Sequence, residues 1–197
     1  MALSPDIPQE HHWTVADYME LDDERRFEVY QGELVMVPSP NIYHQRAITR
    51  LGTLLDAYAV EGGVGEVFDA PFDVALSEDT VVQPDLTFVS KERLRELYDG
   101  HCITGAPDLV VEVLSPATES RDRHRKRELY SEAGVPWLLL VEPKGQVVEV
   151  LRLGEEGRYI IENSAAEDDV LTVGLFPGLE IDLSKVWFEL PEDEGEQ

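Results

Sequence analysis

Two acids in this sequence stand where a carboxylate is costly. In PDLVVEVLSP, residues 107–116, Glu112 interrupts the aliphatic run Leu109, Val110, Val111, Val113 and Leu114. Such a run marks a strand buried on both faces, where an unpartnered charge costs several kcal/mol. Upstream, QPDLTFVS, residues 83–90, sets Asp85 after Pro84 at the entry to another strand. Asp108 is the other acid near Glu112, but it lies four residues away on the same strand, about 13 Å at about 3.3 Å per residue. It is read as structural. Asp85, on a separate strand, can stand beside Glu112. Two carboxylates meeting in an apolar setting raise each other's pKa. A hard divalent cation removes that conflict, and magnesium is commonly held by one or two carboxylates plus waters and phosphate oxygens.

Two basic side chains join this pair by their spacing. TESRDRHRKRELYSEAG reads as a helix with Thr118 or Ser120 as its N-cap and Gly134 past its end. Leu129, Tyr130 and Ala133 mark its face toward the sheet. Stepping back three or four residues puts Lys126 on the same stripe. Arg121, Arg125 and Arg127 turn more outward. His44 holds a like position in a helix over about 41–60, whose inward stripe is Ile48, Leu51, Leu55 and Tyr58.

The remaining elements frame these groups. TVADYMELDDE opens a short capped helix at Thr14. RFEVYQGELVMVP reads as a hairpin around Gln31 and Gly32. EVFDAPFDVAL and VVQPDLTFVS read as two strands joined near Glu78 and Asp79, and KERLRELYDG as a surface helix stopped by Gly100. VPWLLLVEP is a further aliphatic strand, and QVVEVLRL with RYIIEN a second hairpin. The order of elements implies an α/β (α+β) class with one mixed sheet flanked by helices. Residues 1–190 read as a single domain and 191–197 as an acidic tail.

Composition narrows the function classes. The chain has 197 residues, 43% of them hydrophobic, which suits one domain with a sizeable core. No apolar run is long enough for a membrane span. The N-terminus has no signal-peptide pattern, and the single cysteine, Cys102, allows no internal disulfide. A cytoplasmic protein is expected. The formal charge of −25 opposes non-specific nucleic-acid binding. Yet Arg121, Arg123, Arg125, Lys126 and Arg127 concentrate positive charge in one short stretch.

Pro84-Asp85, an acid in an aliphatic strand at Glu112, and the basic helix after it resemble the PD-(D/E)XK nuclease superfamily. The closer resemblance is to the Uma-two family of restriction-endonuclease-like proteins. It rests on FEVYQGELVMVPSPNIYHQ, on QPDLTFVS and above all on PDLVVEVLSPATESRDRHRKRELYSEAGVPWLLLVEP, and spans about residues 14–152. The superfamily's lysine stands two residues after the acid, where this chain has Leu114. In the family pattern a lysine on the following helix takes its place, and Lys126 matches it. The resemblance implies a restriction-endonuclease-like sheet with an N-terminal helix-hairpin addition. It implies a metal-dependent endonuclease hydrolysing phosphodiester bonds in DNA. Asp85, Glu112 and a backbone carbonyl near Val113 would hold magnesium or manganese. Lys126 would orient water or stabilise charge. His44 would serve as a second base or phosphate contact. Arg121, Arg123 and Arg125 would contact the nucleic-acid backbone, and two chains would form a homodimer to cut both strands.

Each of these residues has a plainer alternative. Glu112 would be paired with an arginine, Asp85 a turn residue, Lys126 a surface stem over apolar area, His44 a satisfied helix-start histidine, and the arginines a solvated helix face. On those terms the chain is a catalytically inactive nuclease-fold module that binds nucleic acid or a protein partner. His11, His12, His101 and His124 are read as surface residues, and Cys102, with no base in view, as inert.

Overall fold

The computed structural model describes residues 11–114 and 121–190, the side chains of residues 121–123 excepted. Helix α1 (Val15–Met19) starts with the capping box that the sequence implies. The Asp17 N–H donates to Thr14 Oγ1 at 3.2 Å, and the Thr14 N–H donates to Asp17 Oδ2 at 2.9 Å. Strands β1 (Phe27–Tyr30) and β2 (Glu33–Met36) form the expected hairpin. Gln31 and Gly32 both have positive φ, 50° and 82°, as a two-residue hairpin loop requires. Helix α2 (Ile42–Gly62) is capped by Asn41, whose Oδ1 accepts the His44 N–H at 3.0 Å, and it ends on left-handed Gly63.

The next segment departs from the two long strands expected. It forms four short ones: β3 (Gly65–Asp69), β4 (Val74–Ser77), β5 (Thr80–Val82) and β6 (Leu86–Ser90). The breaks fall at Pro71 and Pro84, which have no N–H to offer a ladder. Helix α3 (Lys91–Leu97) stops at Tyr98, before the expected Gly100. Asp108 braces its start, accepting the Ser90 N–H at 2.7 Å and Arg93 Nη1 at 2.8 Å, in keeping with its structural reading. Then follow β7 (Ile103–Thr104), β8 (Leu109–Val113), α4 (Arg121–Ala133), β9 (Trp137–Glu142), β10 (Val147–Leu153), β11 (Tyr159–Ala166), β12 (Val170–Thr172) and β13 (Glu180–Asp182). The N-cap expected at Thr118 or Ser120 and the tail at 191–197 lie outside the described residues.

The strands sort into a six-stranded sheet in the order β11-β10-β9-β8-β6-β3, a five-stranded sheet in the order β2-β1-β5-β4-β7, and the pair β12-β13. In the larger sheet β8 and β9 are parallel, and α4 lies between them in sequence, the crossover a parallel pair needs. The other neighbours in that sheet are antiparallel.

Alternation along β8 separates two cores. Leu109, Val111 and Val113 pack with Ala47, Leu51, Leu55 and Ala59 of α2. Val110 packs on the other face with Leu129 and Tyr130 of α4, and with Tyr30, Val74, Val82 and Ile103 of the smaller sheet. The stripe expected on α2 is shifted slightly: Leu51 and Leu55 are buried, while Ile48 and Tyr58 pack only at the margin. Glu112 follows Val110 in the alternation and so shares its face with α4.

Candidate active site

The segment Gln83-Pro84-Asp85 carries the chain from the small sheet, which β5 leaves, to the large one, which β6 enters. The Gln83 backbone N–H meets Glu28 of the small sheet, and the Asp85 side chain meets Val113 of the large one. The antiparallel register pairs Leu86 with Val111, so one step further sets Asp85 opposite Glu112. Asp85 Oδ2 accepts the Val113 N–H at 2.7 Å and sits 3.2 Å from His44 Nε2. His44 reaches it from the first turn of α2. Among the described residues the buried Nδ1 atom of His44 has no hydrogen-bond partner. Nε2 is the ring nitrogen in range of Asp85 Oδ2.

Glu112 is held from α4. Lys126 Nζ lies 3.0 Å from Oε1 and 3.1 Å from Oε2, and the Tyr130 hydroxyl donates to Oε1. A third acid, which the sequence reading did not single out, completes the cluster. Glu28 Oε1 lies 3.0 Å from the same Lys126 Nζ and accepts the Gln83 N–H at 2.7 Å. The Tyr30 hydroxyl donates to Glu28 Oε2. Glu28 and Tyr30 share a face of β1 because they are two residues apart, and the hairpin turn sets that face against α4. The N-terminal hairpin is thus part of the site rather than an appendage. These groups line a cleft of about 100 Å³ whose rim includes Pro38 and Pro40.

The electrostatics show an excess of negative charge. Burial raises Glu112; Lys126 opposes this, Asp85 and Glu28 add to it, and the Tyr130 hydroxyl opposes it. The balance pushes the carboxyl up to about 7 from an ordinary 4.5. Burial would lower the Lys126 ammonium, but Glu112 and Glu28 outweigh it and hold that group well above its usual range. Burial likewise raises the Tyr130 phenol, with the Glu112 charge adding to it. Two carboxylates, Glu112 and Glu28, therefore hold one firmly charged ammonium, and the charge of Asp85 adds to the strain on Glu112. A divalent cation at Asp85 and Glu112 fits this balance and the oxygen donor set. Among the described residues no group of three His, Cys, Asp or Glu side chains converges as a ready-made cage, so water or substrate oxygens would complete such a site.

The structure brings together Asp85, Glu112, Lys126 and His44, each proposed from sequence. Lys126, not an arginine, is the direct partner of Glu112. The outward orientation expected of Arg125 and Arg127 does not hold. Arg125 Nη2 lies 3.0 Å from the Tyr30 carbonyl and 2.7 Å from Glu33 Oε2, with its guanidinium 4.9 Å from the Tyr30 ring centre. Arg127 Nη2 donates to the Tyr159 carbonyl at 3.1 Å. Helical periodicity sees only α4, whereas the acceptors belong to β1, β2 and β11. The side chains of Arg121 and Arg123 lie outside the description. Glu28 and Tyr130 were missed for different reasons. Glu28 carries the same signal as Glu112, an acid inside the apolar run Phe27, Val29 and Tyr30. The Tyr130 hydroxyl gives no signal in a residue that also reads as core.

Comparison with known proteins bears on the family and the fold. A protein of Synechocystis sp. (strain ATCC 27184 / PCC 6803 / Kazusa), "Uncharacterized protein slr1290", is 28% identical over 167 residues, 81% of this chain and 85% of its own length. A crystal structure from Anabaena variabilis ATCC 29413, described as "a putative nuclease belonging to DUF820", superposes with a TM-score of 0.71 at 20% identity. The match covers 89% of this chain and 97% of that one, and shows a shared fold. Residues 15–184 match the Uma2 family, described as "Putative restriction endonuclease". With that match spanning both sheets and every group of the cluster, the chain belongs to the Uma2 family of restriction-endonuclease-like proteins.

Proposed function

We propose that this chain is a magnesium- or manganese-dependent endonuclease that hydrolyses phosphodiester bonds in DNA. The observation that carries the reading is the meeting of Asp85 and Glu112 across adjoining strands, with Lys126 of α4 drawn onto Glu112 at 3.0 Å. This restores the lysine that Leu114 leaves missing from the strand.

Asp85 and Glu112 would hold the cation, which when bound polarises the scissile phosphate and lowers the pKa of a water. The Val113 amide and His44 fix the Asp85 carboxylate from two sides. With its Nδ1 buried, His44 acts in this reading by positioning Asp85 rather than by passing protons to the cleft. Lys126 keeps its charge in the cleft between Glu28 and Glu112. There it orients the attacking water or meets charge developing on the phosphate oxygens. Arg121 and Arg123 are proposed as contacts to the nucleic-acid backbone. For Arg125 the same role requires it to leave Glu33. A homodimer would place two such sites on opposite strands. Among the described residues no helix is long and apolar enough to cross a membrane.

The test is cleavage of plasmid DNA with magnesium or manganese. Wild type should nick or linearise it, Glu112→Gln should not, and Lys126→Met should lose about a hundredfold in rate. Equal cleavage by Glu112→Gln would end this reading. Salt-dependent DNA binding without cleavage under either metal would favour the inactive module instead.

A further inference from the structure

Lys126 stands between two carboxylate–phenol pairs of the same design. On one side Glu112 takes the ammonium at 3.0 and 3.1 Å and the Tyr130 hydroxyl. On the other Glu28 takes the ammonium at 3.0 Å and the Tyr30 hydroxyl. The Gln83 N–H adds a third donor to Glu28 at 2.7 Å. Glu28 is only 2% exposed, and keeping a carboxylate there is costly unless its oxygens are met. The nuclease reading gives Glu28 nothing to do. It also claims Glu112 twice, once for Lys126 across both oxygens and once for the cation.

We propose, resting on that reading, that Glu28 is a second berth for Lys126. When a divalent cation takes Glu112, the ammonium moves off that carboxylate and remains on Glu28. Its charge then stays in the cleft beside the phosphate instead of being expelled toward solvent. Glu28 is a positioning residue that acts through Lys126, with Tyr30 and Gln83 fixing it in place. The small sheet thereby contributes the anchor, while the large sheet contributes the cation ligands.

Crystals of the wild-type protein soaked in manganese, with the ion located by its anomalous signal, test this without any substitution. The expected result is manganese on Asp85 and Glu112, with Lys126 Nζ in hydrogen-bond range of Glu28 and out of range of Glu112. Manganese on both acids with Lys126 still spanning Glu112, or withdrawn from both carboxylates, overturns the second berth and leaves the nuclease reading intact. No manganese on either acid overturns both.

A double-mutant cycle in solution gives an independent check, read by calorimetric manganese binding. Glu28→Gln should weaken binding about tenfold, since Lys126 then has only Glu112 to hold, an effect within the range seen for contacting residues. In a Lys126→Met background the same change should alter affinity by less than about twofold. An equal loss in both backgrounds would mean that Glu28 acts only through its field, and would overturn the proposal.

Discussion

Replacing Lys126 by methionine keeps an unbranched, flexible side chain one atom shorter and removes its charge. The structure sets the size of the effect. Lys126 is the shared partner of Glu28 and Glu112, whose side chains are 3% and 12% exposed. Removing one member of a buried pair costs about 3–5 kcal/mol, because the remaining charge is stranded. That cost should depend on pH, and Glu112 gives the sign. Its folded value of about 7 lies above the ordinary 4.5. The folded state therefore holds a proton that the unfolded state has lost between those pH values. The stability tied to Glu112 is full below about pH 4.5 and declines as pH rises through 7, by about 3 kcal/mol. Methionine removes the ammonium that restrains the shift, so the carboxyl rises further and the decline extends to higher pH. The variant should thus lose about 3–5 kcal/mol at pH 8. At pH 5, where Glu112 is already protonated in wild type, the loss should shrink to about 1–2 kcal/mol from Glu28 and packing. Urea unfolding followed by tryptophan fluorescence in a chelating buffer measures both values. A penalty equal at the two pH values, or larger at pH 5, would refute the reasoning.

Two further expectations lie away from the cleft. Gly65→Ala places a Cβ against the Val89 carbonyl oxygen and 2.6 Å from the Phe88 ring. Because a backbone atom cannot step aside, the variant should lose about 1–3 kcal/mol in urea unfolding, and wild-type stability would contradict that packing. Cys102 is buried, and burial followed by the Asp99 charge pushes its thiol up to about 11. At pH 8 only about one thiol in a thousand is ionised. Ellman's reagent should therefore find no fast-reacting group in the native protein and one in urea, and a fast native reaction would show the site to be open.

How much of this was legible depended on how local each signal is. The capping box at Thr14, the turn at Gln31-Gly32 and the stripe of Leu51 and Leu55 are short-range, and the chain folds as they imply. The acid in PDLVVEVLSP and the lysine one turn before Tyr130 are local too, and they meet as the spacing implies. The splitting of residues 65–90 was less legible. Pro71 and Pro84 mark breaks, but nothing local says that β3 and β6 pair in one sheet while β4 and β5 join another. That division is what brings Gln83 to Glu28 and Asp85 to Val113. Arg125 shows the same limit from the other side. Its outward position on α4 is correct for an isolated helix, but the hairpin supplies a carbonyl, a ring and Glu33 to hold it.

Everything proposed for the cleft depends on Asp85 and Glu112 holding a divalent cation together. The most direct test is a calorimetric titration of manganese into wild type and Glu112→Gln, each alone and with a cleavage-resistant phosphorothioate oligonucleotide. Manganese should bind wild type, more tightly with the oligonucleotide, and should not bind Glu112→Gln under either condition. Equal binding to the two proteins, or no binding to wild type even with the oligonucleotide present, would contradict the shared cation site.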